Sequence, residues 1–156
     1  MTGIVFREAS AADIPAISHV RVSVGENLLT RDQLAERGIT EASVAASFAS
    51  DAKGWVASHD GTIVAFSIAD RKERTLFALF VLPDYAGRGI GSRLLDLALT
   101  WLWRNGAERI WLTTGPRTRA VAFYEKRGWR RVGPSEHGDV RLELERPIGA
   151  LIPSGG

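Results

Sequence analysis

The chain has no cysteine, which excludes disulfides, thiolate metal ligands and a cysteine nucleophile. Histidine is scarce as well: His19, His59 and His137 lie far apart, without the spacing of a zinc site. No apolar run exceeds the seven residues of Leu76 to Leu82. A membrane-spanning helix needs about 20. The first ten residues carry neither the basic block nor the apolar block of a secretory signal, so the expectation is a soluble, cytoplasmic protein. Lysine is nearly absent too, with Lys53, Lys72 and Lys126 set against seventeen arginines. The formal net charge is only +2, too small an excess for general coating of a nucleic acid. What remains open is a local anion site, because arginine stays charged and forks onto carboxylates and phosphates.

What is present reads as one α/β domain. The 156 residues are 45% hydrophobic and 24% charged, ordinary for a globular chain of one domain. Ile4 to Arg7 is a short β-like run, and Ser10 followed by Asp13 resembles a helix start. Ile14, Ile17, Val20 and Val24 then recur at helical spacing, and a second helix is expected over Glu41 to Ser50. Gly25 to Thr40 between them has weak periodicity. Asp60-Gly61 joins the β-rich runs Trp55–His59 and Thr62–Ala69, as a type I′ hairpin would. Leu76 to Leu82 is apolar at every position, the pattern of a central strand covered on both faces.

From Gly89 the pattern turns helical through Ile90, Leu94, Leu95, Ala98 and Leu102, with Asn105-Gly106 as a stop. Arg109 to Thr114 reads as a strand, Thr118 to Arg127 as a helix closed by Gly128, and Trp129–Val132 and Val140–Leu144 as a final pair of strands. The unit from Leu76 to Thr114 is a strand, a helix and a strand, which predicts a parallel pair with a right-handed crossover. The domain is expected to cover residues 1–146, with 147–156 a loose, aperiodic tail.

One local feature carries chemistry. Ala86-Gly87-Arg88-Gly89-Ile90-Gly91-Ser92 lies where the apolar strand passes into the amphipathic helix. Glycines there let the backbone approach a ligand, and the first-turn N–H groups with the helix dipole favour an anion. The segment predicts a phosphate or pyrophosphate, although a tight strand-to-helix turn alone accounts for the same glycines. A Walker A loop is ruled out because no lysine falls between Lys72 and Lys126. The dinucleotide fingerprint fails because its third glycine would fall on Ser92, and the next strand ends in Thr113-Thr114 without an acid for the ribose.

The run Val81-Leu82-Pro83-Asp84-Tyr85-Ala86-Gly87-Arg88-Gly89-Ile90-Gly91-Ser92 resembles the acyl-CoA-binding segment of the GNAT superfamily of N-acetyltransferases. Ala120-Val121-Ala122-Phe123-Tyr124-Glu125-Lys126-Arg127-Gly128-Trp129 is similar to the family's second signature, in the family's order. Two departures stand out: Ala86 replaces the usual Gln or Arg, and Arg117 replaces the Asn that often opens the second motif.

The resemblance implies a mixed, mostly antiparallel twisted sheet of about seven strands, with a central parallel βαβ unit and flanking helices. It implies acetyl-CoA as co-substrate, its pyrophosphate on Ala86, Gly87, Arg88, Gly89, Ile90, Gly91 and Ser92, and its pantetheine along Phe80, Val81 and Leu82. Arg117 and Arg119 either meet phosphates or are solvated. Tyr124 becomes the acid for the leaving thiolate, with a backbone N–H near Val81 facing the oxyanion. The partner is an amine acceptor, on a small molecule or an exposed protein amine, and homodimers are common in the family. Strand Thr75–Leu82 contains no carboxylate, so the base is sought at Glu26, with Asn27 beside it, and then at Asp70 or His137. Trp111 is a candidate for the acceptor wall. Two other readings stay open: a non-catalytic acyl-CoA-binding module of the same fold, and an unrelated nucleotide-binding α/β domain.

Overall fold

Alternation and turn chemistry build the first half of the sheet. The computed structural model describes residues 3–25 and 28–147. Strand β1 (Ile4–Glu8) pairs antiparallel with β2 (Ala52–His59), which turns through Asp60 and Gly61 into β3 (Thr62–Asp70). Both turn residues have positive φ, 51° and 80°, as a type I′ turn requires. Strand β4 (Thr75–Val81) follows antiparallel to β3, and β5 (Arg109–Thr114) is parallel to β4. Strands β6 (Arg130–Pro134) and β7 (Val140–Glu145) complete a seven-stranded sheet of order β1-β2-β3-β4-β5-β7-β6. The mixed, mostly antiparallel sheet of the sequence reading is the one observed.

The helices cover the two faces. Helix α4 (Ile90–Arg104) crosses from β4 to β5, and it buries Ile90, Leu94, Leu95, Ala98 and Leu102, a stripe at 3.6-residue spacing. These pack on Trp55, Ala57, Ala65, Ile110 and Leu142 of the sheet. On the other face α1 (Ile14–Arg21) and α3 (Glu41–Phe48) cover Val56, Phe66 and Ile68. Strand β3 shows the two-residue period directly: Phe66 and Ile68 face α1 and α3, while the buried Ser67 hydroxyl donates to the Leu94 carbonyl of α4 at 3.1 Å.

The weakly periodic stretch 25–40 contains a helix that its apolar pattern does not announce. Helix α2 (Arg31–Glu36) is one and a half turns long and held by its start, where Thr30 and Gln33 form a reciprocal capping box. Helix α5 (Arg119–Glu125) is shorter than its pattern predicts, and Gly128 closes the turn at φ +93°.

One expectation is corrected. The all-apolar strand β4 is covered only at its start: Thr75 and Leu76 are buried, Phe77 is 47% exposed, and Ala78 to Val81 are half-buried. Its apolar side chains line a cavity rather than a closed core.

Candidate active site

The cavity exists because β4 and β5 part company. Their parallel ladder consists of the single pair Thr75 with Trp111, fastened by the Thr75 hydroxyl donating to the Trp111 carbonyl at 2.6 Å. The Trp111 indole N–H donates to the Glu73 carbonyl at 2.9 Å, and the Arg141 guanidinium covers its ring at 4.5 Å. On the β3 side Ala69 faces Leu76 while Ile68 faces Ala78, so Phe77 is an inserted residue, a β-bulge that bends the strand. Beyond it β5 turns away, and β4 is left with one open edge.

Which backbone groups face that edge follows from the ladder's phase. Leu82 N–H donates to the Val64 carbonyl at 2.9 Å, so the pair 64/82 is hydrogen-bonded, and by alternation so are 66/80 and 68/78. Phe80 and Leu82 therefore spend their backbone groups on β3. Leu79 and Val81 turn theirs toward the gap. Of Phe80, Val81 and Leu82, Val81 alone turns its backbone groups to the gap, and Leu79 joins it. The period of two along a strand could have shown that only every second residue turns its backbone to one edge.

Immediately downstream, a short turn at Pro83–Tyr85 leads into the glycine segment. Gly87 and Gly89 sit at φ +75° and +81°, the left-handed region, and Gly89 is the N-cap of α4. A Cβ built on either glycine would meet nothing within 4 Å. No packing constraint thus explains the glycines; the backbone conformation does, and it leaves the space above the first turn clear. Arg88 places its guanidinium 5.0 Å from the centre of the Tyr85 ring, whose hydroxyl is 2.7 Å from His59 Nδ1. Across the helix start, Arg127 donates to Ser92 Oγ at 2.5 Å and to the Phe123 carbonyl at 2.9 Å, stacking on the Phe123 ring at 3.7 Å. Arg127 is a cation that sequence reading did not assign to this region. Gly91 lies 3.7 Å from Val81 and 3.8 Å from Phe123, measured from its ideal Cβ, so it is the close packing point of β4, α4 and α5.

Tyr124 lines the same cavity and is 6% exposed. Its ring packs edge-on against Phe123 and Trp129, with centroids 5.2 and 5.4 Å apart. Its hydroxyl makes no hydrogen bond among the described residues. Burial pushes the phenol's pKa well above its ordinary 10.0, and the Arg127 charge pulls slightly back. The group therefore keeps its proton throughout the neutral range.

The remaining candidates separate. Glu26 and Asn27 lie outside the described residues; Gly25, just before them, lines the cavity. Asp70 caps the β3–β4 turn by accepting from the Lys72 and Glu73 amides at 2.9 and 3.0 Å. His137 stands on an exposed turn beside Glu136 and does not line the cavity. Arg117 is exposed and outside the cavity, whereas Arg119 lines it. Asp139, at the approach to β7, is a cavity carboxylate that sequence reading missed, and no local motif marks it. Among the described residues no cluster of three or more His, Cys, Asp or Glu side chains could hold a metal ion.

This arrangement sets the start of a glycine turn, an open strand edge and a buried phenol around one cavity of about 1050 Å³. A family model described as the acetyltransferase (GNAT) family matches residues 26–129, well over half of the chain. The chain belongs to the GNAT acetyltransferase family. Among its relatives is an uncharacterized N-acetyltransferase of Mycobacterium tuberculosis (strain ATCC 25618 / H37Rv), 35% identical over 78 residues that cover 47% of this chain and 50% of the relative. A [ribosomal protein bS18]-alanine N-acetyltransferase of Escherichia coli (strain K12) is 33% identical over 75 residues, covering 46% and 51%. The chain thus spans about half the length of the curated relatives it matches.

The fold extends further than the sequence likeness. A PaiA N-acetyltransferase from Thermoplasma acidophilum, solved in complex with coenzyme A, superposes with a TM-score of 0.78 at 17% identity, covering 92% of this chain and 99% of that one. The ribosomal-protein-S18-alanine N-acetyltransferase from Escherichia coli gives 0.71 at 22% identity, covering 93% and 95%. As GNAT elements, β4, α4 and α5 carry both signature segments, and they meet at Gly91.

Proposed function

We propose that this GNAT chain transfers an acetyl group from acetyl-CoA to a primary amine by direct attack, with both substrates held at once. The observation that carries the reading is the open edge of β4, whose Leu79 and Val81 backbone groups face a gap between the glycine turn and Tyr124. The cavity of about 1050 Å³ stands at the upper end of the ~300–1,000 Å³ usual for small-molecule sites.

The residues divide the work. Amides of Gly87 to Ser92 and the charge of Arg88 hold the pyrophosphate, and Leu79 and Val81 take the pantetheine as an added strand. The amine nitrogen bonds to the acetyl carbonyl carbon while the carbon–sulfur bond breaks. A backbone N–H of β4 donates to the oxygen as its charge develops, and Tyr124 gives its proton to the departing sulfur. The proton lost by the amine passes to Glu26 or through water to solvent. With no cysteine in the chain, a cysteine acyl-enzyme route is closed. The acceptor is a small-molecule amine or an exposed protein amine; the bS18-alanine acetyltransferases among the relatives support the second class.

A non-catalytic acyl-CoA-binding module is the second reading, favoured by Ala86, by Arg117 and by the lack of a carboxylate in Thr75–Leu82. Thermal protection by acetyl-CoA, CoA, ATP and NAD, followed by thiol release with a broad panel of amines, decides between them. Protection by acetyl-CoA with amine-dependent thiol release supports the enzyme. Tight binding with no release on any amine supports the module, and preference for ATP or NAD overturns both.

A further inference from the structure

The hairpin that joins β2 to β3 reaches the glycine turn through one side chain. His59, the last residue of β2, sets its Nδ1 2.7 Å from the Tyr85 hydroxyl, and the two rings meet edge to face with centroids 5.5 Å apart. The partners are 26 residues apart in the chain, so the contact is tertiary. Tyr85 ends the short turn Pro83–Tyr85, and its N–H donates to the Leu82 carbonyl at 2.9 Å. The chain then passes directly into Ala86 and Gly87. The same phenol ring carries the Arg88 guanidinium 5.0 Å from its centre, within reach of a cation–π contact.

The imidazole is itself held. Asp60 Oδ2 stands 3.6 Å from Nε2, and the chain packs on the ring at Gly3, where an added Cβ would come within 3.1 Å of Cδ2. A carboxylate on the Nε2 side favours the tautomer with its proton there, which leaves Nδ1 to accept from the phenol O–H. Tyr85 is half-buried against the core cluster that α4 covers, so with its hydroxyl bonded to His59 the ring is held at both ends. Arg88 is exposed, and among the described residues its guanidinium has no hydrogen-bond or ion-pair partner. Its N–H donors are uncommitted, and the Tyr85 ring is what restricts where they go.

We infer that His59 is a positioning residue for the pyrophosphate of coenzyme A: through the Tyr85 hydroxyl it holds the entry to the glycine turn and the ring on which Arg88 rests. The inference rests on the placement of the pyrophosphate at Gly87 to Ser92 proposed above, and adds to that site its support from β2. His59 does not line the cavity, so it acts at one remove.

The test is calorimetric titration of the full chain with CoA and with pantetheine, which lacks the pyrophosphate and the nucleotide and is taken to millimolar concentration. His59→Ala removes the acceptor and should weaken CoA binding about 3- to 10-fold, while pantetheine stays within about 2-fold of the parent. Tyr85→Phe keeps the ring beside Arg88 and loses the same hydrogen bond, so it should match His59→Ala, and it serves alone if His59→Ala does not fold. His59→Asn offers an amide oxygen in place of Nδ1 and should restore most of the lost affinity. Melts without ligand show that each variant is folded. CoA affinity within about 2-fold of the parent in folded His59→Ala or Tyr85→Phe overturns the inference, because a lost hydrogen bond would then not reach the ligand. An equal loss for CoA and pantetheine overturns it as well, since a general loosening of the fold would not single out the phosphates. Arg88→Met and Gly89→Ala that both leave CoA affinity unchanged would refute the placement of the pyrophosphate itself, and this inference with it.

Discussion

Tyr124→Phe separates two roles that the same residue type can play. The substitution removes one hydroxyl and leaves the ring, so the packing against Phe123 and Trp129 at 5.2 and 5.4 Å is retained. The hydroxyl has no hydrogen-bond partner among the described residues, so its loss strands no buried group. Stability should then change by less than about 1 kcal/mol, which for a domain of this size is a Tm shift of roughly 2–4 °C. A positioned proton donor, by contrast, contributes about 10²–10⁴-fold in rate, equivalent to about 3–5 kcal/mol of barrier. The effect on the barrier therefore exceeds the effect on the fold several times over. The assay pairs a thermal melt and acetyl-CoA titration with steady-state thiol release. The expected result is a kcat lowered at least 100-fold, with Tm and acetyl-CoA affinity nearly unchanged. A kcat within about 3-fold of the parent would refute the proton-donor role, and a Tm loss of 10 °C or more would refute the packing argument.

Two glycine substitutions should behave oppositely. Gly89→Ala meets nothing within 4 Å but forces a Cβ onto φ +81°, costing about 1–2 kcal/mol of stability and, by filling the ligand's approach, a larger share of acetyl-CoA affinity. Gly54→Ala places a Cβ 2.8 Å from the Phe48 ring and 3.2 Å from Ala9, so it should lower Tm with acetyl-CoA affinity in the folded fraction preserved. Paired melts and titrations check both; equal losses of affinity would refute the distinction. A third prediction concerns acid. The Arg7 guanidinium donates to both Asp13 oxygens at 2.8 and 2.9 Å and holds that carboxyl down at about 2, from an ordinary 3.8. A lowered folded-state pKa stabilises above the unfolded value, so this contribution is present above about pH 4 and is lost as pH falls toward 2. Asp13→Asn should flatten that acid limb in urea melts between pH 2 and 5, and an unchanged limb would assign acid sensitivity elsewhere.

Local chemistry made much of the fold legible. The Asp60-Gly61 hairpin, the apolar stripe of α4 with its Asn105-Gly106 stop, and the final strand pair all rest on contacts or conformations within a few residues. Helix α2 escaped because one and a half turns present too few residues for a period, and its cap, Thr30 with Gln33, is a short signal. The apolar run of β4 misled for a different reason. Exposure to a cavity and burial in a core ask the same residue types of a strand, and only the bulge at Phe77 and the departure of β5 tell them apart.

The sequence by itself determined the two segments that mark the family. The glycine turn and the Phe123-Tyr124 segment are contiguous, and conformation and capping within a turn are local matters, so both could be read without coordinates. Only the tertiary structure decided the rest. It turned the backbone groups of Leu79 and Val81, and not those of Phe80 and Leu82, toward the gap through the phase of the β3–β4 ladder. It brought Arg127 to the start of α4, set Arg21 over Phe80 and paired Arg37 with Asp139. Each of those choices depends on residues distant in the chain arriving at one place, and periodicity and propensity carry no record of such meetings.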